Sequence, residues 1–176
     1  MGKTCEDIAK RSSTRGYQAE KLPEDVMRKL LEAGLQGPTA ANRQEVHFTV
    51  VPGGHPVLAE MEAEMYRLWE KNPGPKTFYY DAPAVIFLSG DASMFWSPLD
   101  AGIAVENIAL AAEDLGLGSL IIGCVKDALR GEKKAYFGEK LGFPEGYEFE
   151  VAIAVGYKAT EKTPHTYDFE SHVNVL

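Results

Sequence analysis

Cysteine is scarce in this chain of 176 residues, which contains only Cys5 and Cys124. Two cysteines are too few for a disulfide framework, and their separation fits neither a metal site nor a redox pair. No apolar run approaches the ~18 residues of a membrane-spanning helix, and the first ten residues lack the apolar core of a signal peptide. These absences predict a cytoplasmic protein without a membrane segment.

Positive charge is also in deficit, because 18 Lys and Arg stand against 26 Asp and Glu, a formal charge of −8. Such a field disfavours a nucleic-acid partner, and a phosphate-bearing ligand would need a local basic cluster. No metal site is predicted, since no ligand spacing joins the histidines to one another or to carboxylates: His47, His55, His165 and His172. The length and ordinary composition predict a single domain over residues 1–176.

The spacing of apolar residues predicts alternating helices and strands. Thr4 and Asp7 resemble a capping box that opens a short first helix, and Pro23 suits the first position of a second helix. Further helices are predicted over residues 58–69 and 127–141. Strands are predicted at VHFTVV, AVIFLS, SLIIG and YEFEVAIAVG, and the C-terminal VNVL is a strand candidate without a local partner.

The predicted helices and strands alternate at uneven intervals, which indicates an α+β or mixed α/β arrangement around one sheet. No dinucleotide-binding fingerprint is present. The stretch GLGLGS follows a helix and lacks the third spaced glycine, so we interpret Gly116 as a helix stop and Gly118 as a turn residue.

A long and nearly apolar helix is predicted to follow Asp100, which suits an N-cap. In the run AGIAVENIALAAEDLG the polar residues fall at positions 106, 107, 113 and 114 and therefore form one narrow seam. The rest of the helix must be covered by other parts of the protein. The pattern fits a central core helix equally well with or without an additional role at a subunit interface.

The stretch RSSTRGY offers two guanidinium groups and two hydroxyls at the end of the first helix: Arg11, Ser12, Ser13 and Arg15. This set suits a phosphate or another oxyanion. Arginines at the C-terminus of a helix also commonly serve as solvated caps of the last carbonyl groups. Taken alone, the stretch fits both interpretations.

The stretch GPTAANRQ connects the second helix to the first strand and is longer than a simple turn requires. Its small residues would let a flat ligand approach the backbone, while Asn42 and Gln44 can each present a donor and an acceptor to a heterocycle. The alternative is a long connection whose polar groups satisfy one another. The sequence leaves both open.

In combination the motifs are more informative than each is alone. The order RSSTRGY, GPTAANRQ, DAGIAVENIALAAEDLGLGS and IAVGY resembles the nitroreductase family of flavin-dependent oxidoreductases, from about residue 8 to residue 156. The resemblance implies an α+β fold with a mixed β-sheet flanked by helices, and a homodimer with the long apolar helix at its interface. It also implies an FMN at that interface, reduced by NADH or NADPH.

The resemblance further assigns roles to particular residues. Arg11 and Ser13, with Ser12 beside them, would hold the flavin phosphate, and Arg15 would face the pyrimidine end of the ring. The partner subunit would line the ring through Pro38, Thr39, Ala40, Asn42 and Gln44. Backbone N–H groups near the reactive edge would come from Ile121, Ile122 and Gly123.

The function implied is hydride transfer from NADH or NADPH, through FMN, to a flat acceptor such as a nitroaromatic or a quinone. The flavin carries the chemistry, so no catalytic side chain is predicted. The tail 158–176 would reach the partner subunit, and Cys124 is expected to be buried and inert.

Two departures from the family pattern keep other functions open. Residues after Tyr157 offer no clear basic match for the flavin phosphate, and few residues lie between Trp69 and Asp81 for a lid. Both features would suit a flavin-binding or flavin-storage protein with little turnover. An enzyme of other chemistry on the same scaffold, such as dehalogenation or flavin breakdown, is a further alternative.

Overall fold

The computed structural model describes residues 2–176. Its regular elements, in chain order, are α1 (Lys3–Lys10), α2 (Glu24–Leu35), β1 (His47–Pro52), α3 (Pro56–Trp69), β2 (Ala84–Asp91), α4 (Ser97–Asp114), β3 (Leu117–Ile122), α5 (Lys126–Arg130), α6 (Lys134–Leu141), β4 (Tyr147–Tyr157) and α7 (Phe169–His172). A single 3-10 turn spans Ala40–Asn42 between α2 and β1.

The four strands form one sheet in the order β1-β2-β4-β3, and the three pairings between them are antiparallel. The segment after α1 adds a parallel bridge between Ser13 and Ser119 at the β3 edge. Helices cover both faces of the sheet. The predicted α+β class is confirmed.

Each face of the sheet has its own hydrophobic core. On one face β2 and β4 pack against residues of α3, α5 and α6, with Phe87 and Phe149 at the centre. On the other face the same strands pack against α2 and α4, with Ile86 and Ile153 at the centre. The two central strands are therefore buried on both sides, which explains their continuous apolar runs.

Two of the predicted helix starts are wrong. Helix α4 begins at Ser97, three residues before the predicted cap, because Pro98 is tolerated in a first turn, where its missing N–H leaves no bond unmade. Asp100 thus lies inside the helix. Helix α1 begins at Lys3 after Gly2, and no side chain caps it, so Thr4 is not an N-cap.

Three other predictions need correction. Gly118 lies within β3 and is paired with Gly156, so it is not a turn residue. The single helix predicted over 127–141 is two helices, because the chain leaves the helical path at Gly131, where φ and ψ are extended. The stretch VNVL follows α7 as an exposed segment without strand pairing among residues 2–176.

Within residues 2–176, no helix combines the length and the apolar character needed to cross a membrane.

Candidate functional site

The segment Arg11–Arg15 lies along the edge strand β3. The backbone N–H of Thr14 donates to the carbonyl of Ser119 at 2.9 Å, next to the bridge between Ser13 and Ser119. The buried side chain of Thr14 occupies the space that a Cβ on Gly118 would need, with Thr14 Oγ1 only 2.6 Å from that position. A glycine at 118 therefore permits the close approach that fixes this segment.

The cations of this segment have different surroundings. Arg11 is about one-fifth exposed, and its Nε lies 3.2 Å from Oε1 of Glu106 on α4. The Arg15 guanidinium is exposed and lies 5.9 Å from the ring centre of Tyr80, whose ring is also 5.9 Å from Lys76 Nζ. Lys76 Nζ donates to the Arg15 carbonyl at 3.4 Å. Arg15 and Lys76 thus form a small cationic cluster around one aromatic ring.

The capping interpretation of the two arginines finds no support in the hydrogen bonds. The C-terminal contact of α1 is made by the backbone, where the N–H of Arg11 donates to the carbonyl of Asp7 at 2.8 Å. Among the described residues, neither arginine side chain donates to a carbonyl of α1. The Arg11 guanidinium is paired with Glu106, and the exposed Arg15 guanidinium lies near the Tyr80 ring.

The loop of residues 38–44 is strained and locally hydrogen-bonded. Ala41, Asn42 and Gln44 have φ of 53°, 54° and 55°, a region that costs a non-glycine residue on the order of 1 kcal/mol or more. The N–H of Gln44 donates to Thr39 Oγ1 at 2.9 Å, and its side-chain amide donates to Asn42 Oδ1 at 3.1 Å. Strain of this kind persists where the surroundings hold it, often at ligand sites.

The interpretation of this loop as a long, self-bonded connection describes its hydrogen bonds, and the ligand-binding interpretation stays a prediction. Its polar groups do bond to one another, as a long connection requires. Yet Pro38, Asn42 and Gln44 are exposed, so the remaining donor and acceptor capacity faces outward. A hydrogen bond from the Ala40 N–H to Asp100 Oδ2, at 2.9 Å, fixes the loop to α4.

The predicted site residues fall into two groups that one chain does not bring together. The Arg11–Arg15 segment and the end of β3 share one edge of the sheet, where Ile121 is 38% exposed and Gly123 is exposed, while Ile122 is buried. The 38–44 loop enters β1, which is the opposite edge. Three strand spacings, roughly 14 Å, separate the two edges.

The two groups also contact different parts of α4. Asp100 contacts the loop and Glu106 contacts Arg11. Six residues along a helix correspond to about 9 Å and to a rotation of about 240°. The two groups thus lie on different sides of this helix.

The family model described as "Nitroreductase family" matches residues 8–157. The chain belongs to the nitroreductase family. It is 32% identical over 170 residues to a protein named "Putative NADH dehydrogenase/NAD(P)H nitroreductase" from Methanothermobacter thermautotrophicus, covering 93% of this chain and 80% of that protein.

Solved structures of nitroreductases are also similar to this chain. A nitroreductase with bound FMN from Desulfitobacterium hafniense is 29% identical, with a TM-score of 0.89 over 100% of this chain and 99% of that one. An FMN-dependent nitroreductase from Clostridium difficile is 25% identical, with a TM-score of 0.84 over 98% of each chain. The predicted family is confirmed.

In this nitroreductase-family chain, Cys124 differs from the sequence prediction in its exposure to solvent. The residue follows the exposed Gly123 and is itself exposed, so the prediction of a buried thiol is wrong. The apolar neighbour that suggested burial, Val125, takes the buried position instead. Partial desolvation still raises the pKa of the Cys124 thiol above its ordinary value, so the thiol is a weak nucleophile near pH 7.

Sequence reasoning missed one feature of this nitroreductase-family site. Glu45 directly follows the loop and is buried, and neither oxygen of its carboxyl group has a hydrogen-bond partner among residues 2–176. The sequence carried only a weak signal, namely a glutamate directly before the apolar Val46. No group of three or more potential metal ligands is found in residues 2–176.

Proposed function

We propose that this protein is an FMN-dependent oxidoreductase that takes hydride from NADH or NADPH and reduces a flat acceptor, such as a nitroaromatic or a quinone. Membership in the nitroreductase family and the bound FMN of the relative from Desulfitobacterium hafniense support the proposal. The observation that carries it is the placement of two half-sites on opposite edges of one sheet. Each half-site needs a second copy of the chain to be completed.

The residues on the β3 edge fit an anionic cofactor tail. Arg11, Ser12 and Ser13 would hold the phosphate of FMN, on a segment whose position is fixed through Thr14. Arg11 would exchange its contact with Glu106 for the phosphate, or share it. Because the whole chain is acidic, this local cluster must supply the attraction that the net charge does not.

The opposite half-site would serve the partner's cofactor. Pro38, Thr39, Ala40, Asn42 and Gln44 of one chain would lie against the flavin ring of the other. Exposed apolar side chains border this loop and suit a homodimer interface: Leu35, Phe95, Trp96 and Leu99. The exposed tail, residues 158–176, would add contacts to the partner.

FMN supplies the chemistry of the reaction, accepting hydride from the nicotinamide and passing it to the acceptor. The protein positions the ring and compensates charge. The Arg15 guanidinium, with Lys76 nearby, would stabilise the negative charge of the reduced ring. Ile121, Ile122 and Gly123 would present strand backbone to the reactive edge, and no side chain is assigned an acid or nucleophile role.

A flavin-binding protein with little turnover is the second candidate, and one observation favours it. Lys158, the first basic residue after the last strand, is bound to Glu113 at 3.0 Å in a part-buried ion pair. The Lys158 ammonium group is therefore already paired with Glu113. A phosphate site without it would rely on Arg11 and the two serines alone.

The test begins with the visible spectrum of the purified protein and its reconstitution with FMN. We expect a yellow protein, bleached when NADH or NADPH is added without oxygen; bound flavin that stays oxidised would favour the storage function. Arg11→Ala should weaken FMN binding, whereas the control Arg28→Ala, which removes an exposed arginine of α2, should not. A protein that cannot be reconstituted with FMN would refute the proposal.

The dimer can be tested separately by sedimentation. Leu99→Glu places a charge in the proposed interface and should shift the protein towards monomers. Leu68→Glu, also at an exposed apolar position but on α3, which packs on the other face of the sheet, is the control. A wild-type protein that sediments as a monomer with FMN bound would contradict the two-chain site.

The cytoplasmic location stays a prediction from the sequence.

A further inference from the structure

The first residues of the C-terminal tail, 158–162, lie beside the segment 11–18, which carries the predicted phosphate ligands. An antiparallel bridge pairs Tyr17 with Lys158. The side-chain amide of Gln18 donates to the carbonyl of Lys158 at 3.0 Å. The tail therefore continues β4 as a short strand along the end of this segment.

Two further hydrogen bonds join the tail to the same segment. The N–H of Ala159 donates to the carbonyl of Gly16 at 2.9 Å. The hydroxyl of Ser12 donates to the carbonyl of Lys162 at 3.3 Å. The contacts thus reach both ends of the segment.

Strand β3 holds the middle of the segment. It does so through the bridge between Ser13 and Ser119 and the hydrogen bond from the Thr14 N–H to the Ser119 carbonyl. Arg15 follows directly and lies between the contacts with β3 and those with the tail. The position of these residues therefore depends on β3 and on the tail together.

One ion pair fixes the tail to helix α4. Lys158 Nζ lies 3.2 Å and 3.0 Å from the two carboxylate oxygens of Glu113, and the side chains are only 18% and 12% exposed. Glu106, which pairs with Arg11, precedes Glu113 by seven residues. Seven residues are close to two helical turns, so both carboxylates lie on one side of α4. A single face of a core helix thus contacts Arg11 and the tail.

This ion pair can be broken and replaced in a controlled way. Because both groups are largely buried, removing Lys158 leaves the Glu113 carboxylate without a cation in a poorly solvated place, which is strongly destabilising there. Replacing both members of such a pair by apolar residues is often neutral. The tail can therefore be loosened by one substitution and fixed again by a second.

We propose that Lys158 is a positioning residue of the phosphate site. Held by Glu113, it fixes the tail residues 158–162 against the segment 11–18, and it does not contact the phosphate itself. The flavin part of this inference rests on the proposed function. It gives the first basic residue after the last strand an indirect role in FMN binding.

The first test compares FMN with riboflavin, which has the same ring and no phosphate. The ratio of their dissociation constants isolates the phosphate end of the site. Lys158→Met should reduce the preference for FMN by about tenfold, which corresponds to about 1.4 kcal/mol. Lys134→Met, which breaks the exposed ion pair with Glu148, is the control and should keep the wild-type ratio. An unchanged ratio in folded Lys158→Met, or an equal loss of both flavins, would overturn the inference.

A double variant separates positioning from direct contact. Lys158→Met combined with Glu113→Leu removes both charges and leaves an apolar pair that can pack in their place. If Lys158 acts by position, the double variant should recover most of the preference for FMN. A double variant as weak as Lys158→Met would show that the ammonium group acts on the phosphate directly, and the proposed indirect role would be wrong.

Gln18→Ala covers the case in which Lys158→Met does not fold. It removes the hydrogen bond to the Lys158 carbonyl at an exposed position, so the free energy of unfolding should change little. The preference for FMN should fall in the same direction, by about 2- to 12-fold for the loss of one hydrogen bond. A folded Gln18→Ala protein with the wild-type ratio would overturn the inference.

The second test needs no flavin. In the apoprotein, hydrogen exchange of the Thr14 amide, which donates to Ser119, should be faster in Lys158→Met and return towards the wild-type rate when Glu113→Leu is added. The Ile86 amide in the central strand β2 is the internal control. Unchanged exchange of Thr14 would show that the tail does not hold the segment. A protein that binds neither flavin would refute the proposed function, while this exchange would still decide the role of Lys158.

Discussion

The close approach of Thr14 to β3 can be tested by placing a methyl group at Gly118. In Gly118→Ala the new Cβ would lie 2.6 Å from Thr14 Oγ1, 2.7 Å from its Cγ2 and 2.9 Å from its Cβ. Real Cβ atoms do not come so close, and Thr14 is buried, so its side chain has little freedom to move away. The segment that carries Arg11 and Ser13 must shift outward.

The size of the effect follows from two costs and one opposing gain. Overpacking of this kind costs about 1–3 kcal/mol, and a shift would also weaken the hydrogen bond between Thr14 and Ser119, worth about 1 kcal/mol. Replacing a strand glycine by alanine gains only about 0.5–1 kcal/mol. The overpacking therefore dominates, and if it is relieved by displacing the segment, 1–3 kcal/mol corresponds to a loss of about 5- to 150-fold in FMN affinity.

The assay is FMN titration followed by fluorescence, with urea unfolding of the same variants to measure the free energy of unfolding. We expect Gly118→Ala to lose more free energy of FMN binding than of unfolding. Thr14→Ala in the same chain should restore part of the affinity, because it removes two of the three close contacts. Gly138→Ala, whose Cβ would lie 3.8 Å from its nearest neighbour, is the control. Wild-type FMN affinity in Gly118→Ala would refute the proposed phosphate segment.

Three further predictions concern separate parts of the molecule. Arg15→Ala should lower the midpoint potential of bound FMN by about 30 mV, which corresponds to about 1.4 kcal/mol for two electrons; an unchanged potential in spectroelectrochemical titration would contradict its placement. Glu64, buried between two cations that hold its pKa at about 2, should lose about 1–3 kcal/mol of stability as Glu64→Gln in urea unfolding. Its contribution is present above the unfolded pKa near 4.5 and fades as the pH falls towards 2, so the wild-type and Glu64→Gln stabilities should converge in acid. FMN should slow alkylation of Cys124, which follows Gly123, but not of the exposed Cys5; equal protection of both would argue against a flavin at the end of β3.

The sheet was predictable because its signals are local. The runs AVIFLS and YEFEVAIAVG correspond to β2 and β4, whose burial on both faces demands continuous apolar residues. Helix α2 was predictable from its acidic first turn, although Pro23, predicted at the first helical position, is the N-cap residue one place earlier. Each of these features is specified within about ten residues of sequence.

The errors arose where distant residues decide the local structure. Gly118 resembles a turn residue until Thr14 is placed against it, about a hundred positions away in the chain. Asp100 has the sequence context of an N-cap, but its carboxylate accepts from Ala40, sixty residues earlier. A sequence pattern records which residue types are present and does not record which backbone a side chain will meet.

For the site, as for the fold, the sequence showed the residue types but not the contacts between distant residues. The residue types of RSSTRGY and GPTAANRQ were visible, and so was the possibility of an oxyanion. The contacts of Arg11 with Glu106 and of Arg15 with Tyr80 could not be predicted from the sequence, and the ligand role of both arginines stays a prediction. The hydrogen bond between the Ala40 N–H and Asp100 depended on how α4 packs against the loop.

The structure shows which part of the long helix α4 belongs to the core and which part is exposed, a distinction that the sequence left open. The polar residues of α4 contact other residues of the same chain. Ion pairs join Glu106 to Arg11, Glu113 to Lys158 and Asp114 to Lys3, and Asn107 donates to the Ala33 carbonyl. Its apolar faces pack on the sheet and on α2, so most of the helix is core. Exposed apolar side chains gather at its N-terminal end, at Phe95, Trp96 and Leu99, beside the Asp100 that holds the loop. In the proposed dimer an interface role is therefore expected at that end, where the contact between two chains would also fix the loop that each would lend to the other.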